Sequence, residues 1–235
     1  MKGGRESDSA EKRMQLKNQK TGTGAKAVYN TLMTAALFTL ILCASVSLII
    51  YTTPLYYMMV KLLKVPESTG ISFEVCKRNY DTLIYYNCFW GPKKLVFPDF
   101  IMSEHGEIHF MEVKRIFVFM QYAAIGSLAL VLLGHFLYGK KRRIYGFLPA
   151  TIILACVVVL VVGAGLVFSW DRTFILMHRI LFTNDYWIFD PAKDPVINIL
   201  PDTVFLAAGA GIIVLMILGL LISGLLWRKH QKEAK

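Results

Sequence analysis

Four stretches of this chain contain no Asp, Glu, Lys or Arg: residues 27–60, 116–139, 144–170 and 203–227, of 34, 24, 27 and 25 residues. A helix needs about 20 apolar residues to cross the hydrocarbon core of a bilayer. Each stretch is long enough, so the predicted fold is an all-α membrane protein with four transmembrane helices. The runs account for a charged fraction of only 18% over 235 residues, against about 25% in soluble domains. A soluble globular enzyme and a disulfide-built secreted module are excluded. A transmembrane β-barrel is excluded too, because its strands would alternate over segments of about 10 residues.

The remaining charge predicts the topology. Residues 1–26 carry a net +4, residues 140–143 (Lys140, Lys141, Arg142, Arg143) carry +4, and residues 228–235 carry +3. Between them, residues 61–115 carry +1 and residues 171–202 carry −2. The positive-inside rule places the three basic segments in the cytoplasm and the two long loops outside. The expected order is a flexible basic leader (1–26), a retained first span (27–60), an outer loop (61–115), a second span (116–139), a basic cytoplasmic turn (140–143), a third span (144–170), a second outer loop (171–202), a fourth span (203–227) and a cytoplasmic tail (228–235). The net charge of +10 flanks membrane spans, so it gives no reason to invoke nucleic acid.

The outer loops are too aromatic for linkers. Tyr80, Phe110, Phe182, Tyr186, Trp187 and Phe189 are among their rings. An interfacial aromatic belt explains Tyr51 and Trp170 at span ends, but not a cluster in mid-loop. A folded extracytoplasmic cap with an aromatic-walled pocket is expected. Locally, 71–87 reads as helical and Leu95–Phe97 as a short strand. Ser103 reads as the cap of a helix running unbroken into the second span, and Trp170–Leu181 as an interfacial helix. Cys76 and Cys88 share the first outer loop, where a disulfide is open to them.

His109 and His178 are the candidate acid/base pair. Six residues separate His109 from the second span, about 9 Å along a helix, and His178 lies seven residues beyond Asp171. Both therefore reach the outer membrane surface, and imidazole titrates near neutrality. His105, His109 and Glu112 share a helix face that, with His178, offers zinc ligands. The string His105-Gly106-Glu107-Ile108-His109 is not H-E-x-x-H, however, and no metal is assigned. His135 reads as packing and His230 as a solvated tail residue. No G-x-S-x-G, P-loop or dinucleotide fingerprint occurs, and no cofactor is expected. Charge-free spans argue against an ion-coupled transporter.

Three stretches carry a family resemblance. They are Asn79-Tyr80-Asp81 with Leu83 and Tyr86; Glu107-Ile108-His109-Phe110-Met111-Glu112-Val113-Lys114; and His178 to Pro195, with Phe182, Asn184-Asp185-Tyr186-Trp187 and Phe189-Asp190-Pro191, followed by Leu200-Pro201. Together they resemble the lipoprotein intramolecular transacylases of Gram-positive bacteria. Glu112 stands where that family's pattern has Asp, and Met177 precedes His178 where an aromatic is common. The resemblance implies an acyltransferase of the cell membrane. Its substrate is a lipoprotein whose N-terminal Cys carries a diacylglyceryl thioether, and the sn-2 acyl chain moves to the α-amino group of that Cys. It implies His109 and His178 as the catalytic pair. Tyr80, Asp185 and Tyr186 are candidates to orient an imidazole or meet an oxyanion, and Phe182, Trp187 and Glu112 are candidate pocket residues. Membrane lipids are the expected surroundings, with no obligate protein partner. The competing readings are a non-enzymatic lipid- or partner-binding membrane protein and a zinc-dependent membrane hydrolase.

Overall fold

The computed structural model describes residues 3–139 and 145–233, with no strand among them. The helices are α1 (Gly3–Tyr51), α2 (Thr53–Leu62), α3 (Val65–Thr69), α4 (Phe73–Tyr86), α5 (Glu104–Gly134), α6 (Phe147–Phe168), α7 (Trp170–Leu181) and α8 (Asp202–Glu233). Four segments are long and apolar enough to cross a membrane: Thr23–Tyr51, Glu104–Tyr138, Phe147–Phe168 and Asp202–Glu233, with mean hydropathy between 2.2 and 2.9. Helix α1 packs along α5, α6 along α8, and α1 also touches α6 and α8. Small residues let the helices approach: a Cβ at Gly134 would overlap Met33 Sδ, and one at Gly219 would lie 3.0 Å from Ile41. Buried hydroxyls of Ser45, Thr151 and Ser223 donate to carbonyls one turn back in their own helices, so no interhelical polar partner is needed.

Several sequence expectations are revised. The apolar run 27–60 is divided at Thr52. Pro54 lacks an N–H and its ring obstructs the preceding turn, so α1 stops at Tyr51. The remainder turns into α2, which buries Tyr56, Met59 and Val60 in the cap. Helix α1 begins at Gly3, within the segment read as a leader. Leu95–Phe97 forms no strand. Leu95 and Phe97 are buried and Val96 exposed, the alternation of an extended segment, but no neighbouring strand offers a ladder. Cys76 and Cys88 are both free, buried thiols. His230 is not in a solvated tail: α8 continues to Glu233, and His230 stacks on Tyr145 with ring centroids 3.6 Å apart. The basic turn 140–143 lies outside the described residues.

The cap is a true core, built from Tyr56, Val60, Cys76, Leu83, Phe97, Phe110, Val196 and Ile199. Polar anchors fix it to the bundle. Helix α4 is capped by Ser72 and joined to the following loop by Arg78, whose guanidinium donates to both oxygens of Asp99 at 3.0 and 2.6 Å. That hydrogen bonding holds the Asp99 carboxyl below its usual range. Fully buried Asn79 adds a 2.6 Å bond to the same carboxylate. On α5, Gln121 receives the Phe89 N–H at 3.0 Å and donates to the Asn87 carbonyl at 2.9 Å.

The two long loops are clamped together at the start of α5. Asp194, only 3% exposed, accepts from the Ser103 N–H and the Ser103 hydroxyl, each at 2.7 Å. The same hydroxyl accepts from Gly106 N at 3.0 Å and so caps the helix. A Cβ at Gly106 would overlap the Asp194 carboxylate, which is why glycine stands there. Truncating Asp194 leaves two buried donors unpaired at a cost of about 2 kcal/mol. Asp194→Ala is therefore expected to lower the thermal unfolding midpoint in detergent micelles by several degrees. An unchanged midpoint would show that the clamp contributes nothing to stability.

Candidate active site

Helix α5 runs unbroken from its Ser103 cap to Gly134 and carries His109 in its second turn, still within the cap. Helix α7 begins where α6 breaks at Ser169 and carries His178 in its last turn. The chain then turns back through residues 182–189 over both. The two imidazoles, 69 positions apart, meet with ring centroids 6.2 Å apart and an interplanar angle of 31°. His109 is 5% exposed.

Aromatic rings contact both imidazoles. The edge of Phe182 meets His109 at 4.7 Å and Phe189 does so at 5.4 Å. His178 lies 4.7 Å from Trp187, 4.2 Å from Phe174 and 5.7 Å from Phe182. Phe110 stacks on Phe189 and ties this box to the cap core.

One hydrogen bond fixes the state of His178. Its Nδ1 lies 2.8 Å from the Phe174 carbonyl oxygen, one turn back in α7. A carbonyl only accepts, so Nδ1 carries the proton and Nε2 of the neutral ring keeps its lone pair. Burial among the rings pushes the His178 pKa below its ordinary 6.5, and the carbonyl bond works against that shift. At neutral pH the ring is a free base with a defined tautomer.

Three buried polar atoms here have no hydrogen-bond partner in the protein: His109 Nδ1, Glu112 Oε2 and Trp187 Nε1. Glu112 stands one turn beyond His109 on α5. Its other oxygen accepts from Asn184 Nδ2 at 3.0 Å. Asn184 in turn receives the Tyr186 N–H at 3.1 Å, an Asx turn that shapes the returning loop.

Of the residues singled out from sequence, His109, His178, Phe182, Trp187 and Glu112 are brought together. Tyr186 stacks instead on His105 with ring centroids 4.0 Å apart. Asp185 is exposed and places no side chain on an imidazole. Tyr80 stacks on Tyr56 at 3.6 Å in the cap core, where burial pushes its hydroxyl pKa up to about 12. Sequence reasoning missed Asn184 and the Phe174 carbonyl. The Asn-x-Tyr spacing was a legible turn signal, but a backbone acceptor becomes visible only once α7 is known to be helical to its end.

Comparison with known proteins gives the site a context. The family model described as lipoprotein intramolecular transacylase Lit matches residues 31–205. No curated protein matches the chain by sequence. Among solved structures, the membrane integral lipoprotein intramolecular transacylase Lit from Bacillus cereus aligns with a TM-score of 0.86 and 29% identity, over 90% of this chain and 98% of that one. A variant of it with a histidine replaced by arginine aligns with a TM-score of 0.82 and 28% identity, over 94% of this chain and 98% of that one. A variant with a histidine replaced by alanine gives 0.81 and 29%, over 92% and 98%.

In protein labelled at the histidine ring nitrogens, the His178 resonances are expected to report the Nδ1–H tautomer at pH 7.5 and to titrate below pH 6.5. An Nε2–H tautomer would contradict the Phe174 bond.

Proposed function

Since the chain belongs to the lipoprotein intramolecular transacylase family, we propose that it moves the sn-2 acyl chain of a diacylglyceryl-Cys lipoprotein onto the α-amino group of the same Cys. The chain is a multi-pass membrane acyltransferase. The substrate lies in the outer leaflet with its acyl chains among the spans, and the aromatic box faces it from the extracytoplasmic side. The observation that carries this reading is the pair of imidazoles 6.2 Å apart inside the box.

The chemistry follows from the site. His178 Nε2 removes a proton from the substrate ammonium, giving the free amine. The amine nitrogen attacks the sn-2 ester carbonyl carbon, and the developing oxyanion is met by N–H groups of His109 and Trp187. As the tetrahedral carbon collapses, the bond to the glycerol oxygen breaks. The His178 imidazolium gives that oxygen the proton it first took from the ammonium; the ring, neutral again, accepts the second proton the nitrogen loses and releases it to solvent, and the amide forms. The nucleophile belongs to the substrate, so no serine or cysteine of the enzyme is required. The aromatic walls of Phe182, Trp187 and Phe189, with Glu112 beside them, press the two substrate ends together and disfavour water as a competing nucleophile.

His109→Ala and His178→Ala are each expected to reduce N-acyl product on a co-expressed lipoprotein by about 10²–10⁴-fold, read from the fragment masses of the N-terminal lipopeptide. Normal product from either variant would falsify the two-histidine reading.

The acid limb of the pH–rate profile follows from His178. Protonation removes the base, so activity falls as pH drops through its folded pKa, which lies below 6.5. The rate of purified protein on a synthetic diacylglyceryl lipopeptide is expected to hold at pH 6.5 and decline beneath it. A limb centred above pH 7 would assign the base elsewhere.

A further inference from the structure

The three unpartnered atoms of the site differ in kind. Trp187 Nε1 can only donate, His109 Nδ1 does either according to tautomer, and a carboxylate oxygen such as Glu112 Oε2 only accepts. Glu112 makes no ion pair among the described residues; its one polar contact is the neutral Asn184 amide. A carboxylate oxygen withdrawn from water and left without a cation is costly. A substrate of the proposed class brings one cation near its reacting centre, the α-ammonium of its N-terminal Cys. Its ester carbonyl and glycerol oxygens are acceptors and have nothing to offer an acceptor.

We propose that Glu112, held by Asn184, is the ammonium-binding subsite of this enzyme, its Oε2 accepting a charge-assisted hydrogen bond from the substrate's free N-terminus. This rests on the transacylase reading above and adds to it the residue that recognises the nucleophile. Asn184 occupies Oε1 and turns the carboxylate so that Oε2 is the oxygen left for the ligand. Helix α5 fixes the carboxylate one turn from His109, so the nitrogen is delivered beside the imidazole pair. A Cys nitrogen that is already acylated, or still within a peptide bond, carries no cation and is discriminated against at this position.

Glu112→Gln tests the charge alone, because the amide oxygen still accepts from Asn184 and the side-chain volume is kept. At pH 7 the substrate amine is mostly ammonium. A charge-assisted bond contributes about 1.5–3 kcal/mol, so its loss corresponds to a roughly ten- to hundredfold weakening. KM for a diacylglyceryl-Cys lipopeptide is expected to rise by that factor in Glu112→Gln, with kcat changed less than about threefold. The N-acetylated lipopeptide, of similar size but uncharged, is expected to bind wild type and Glu112→Gln alike. Glu112→Asp keeps the carboxylate and should retain preference for the ammonium form. Repeating the two binding measurements in the His178→Ala background reads the subsite without turnover. A lost preference there stands even if the histidine assignment fails, and an intact preference sinks the subsite even if the histidines are catalytic. An unchanged KM, or equal weakening of both lipopeptides, overturns the proposal.

Discussion

The arrangement depends on one buried carboxylate. Asp194 sits in the segment between α7 and α8, 91 positions beyond Ser103, and takes up both donors that Ser103 offers. It thereby fixes the first turn of α5 against the returning loop. His109 rides on that helix one turn further along, while Phe182, Asn184, Trp187 and Phe189 ride on the loop. Without the clamp, the two sources of the site would share the Asn184–Glu112 hydrogen bond and ring contacts, each worth about a kilocalorie per mole or less. The clamp is favourable because the Asp194 oxygens replace water with fixed, well-aligned donors, and because Gly106 allows the carboxylate to approach the helix backbone.

Much of this was legible in the residues. The four spans follow from charge exclusion alone. The continuity of α5 follows from its Ser103 cap and the lack of proline, and the limits of α7 match the amphipathic segment read from 170 to 181. The convergence of His109 and His178 was an inference from depth: both were measured in residues from a membrane surface, and helices convert residues into ångströms reliably. What escaped was whatever depended on long-range packing. Gly106 read as a defect in a zinc motif, yet its role is to admit Asp194. Tyr80 lay in a motif with a family resemblance, yet its ring serves the cap core against Tyr56. Asp185 and Asn184 are neighbours of similar shape. Only the one that closes an Asx turn faces Glu112, and sequence does not say which.

The division of the first apolar run has a similar physical origin. Hydropathy counts residues without regard to direction, so 27–60 reads as a single object. The helix breaks at Thr52 because Pro54 cannot continue the ladder, and the residues beyond serve the cap core. The cap core is accordingly continuous with the first span.

The two histidines stand on supports of unequal stiffness. Helix α5 is a single rod of 31 residues, roughly 46 Å, anchored in the bundle along its length and bolted at its tip. Helix α7 joins the bundle through the bend at Ser169, has no fully buried side chain, and turns Leu176 and Ile180 outward. Compliance is therefore lopsided. His109 is thus held by a long packed rod, and His178 by a short helix with much of its surface uncovered.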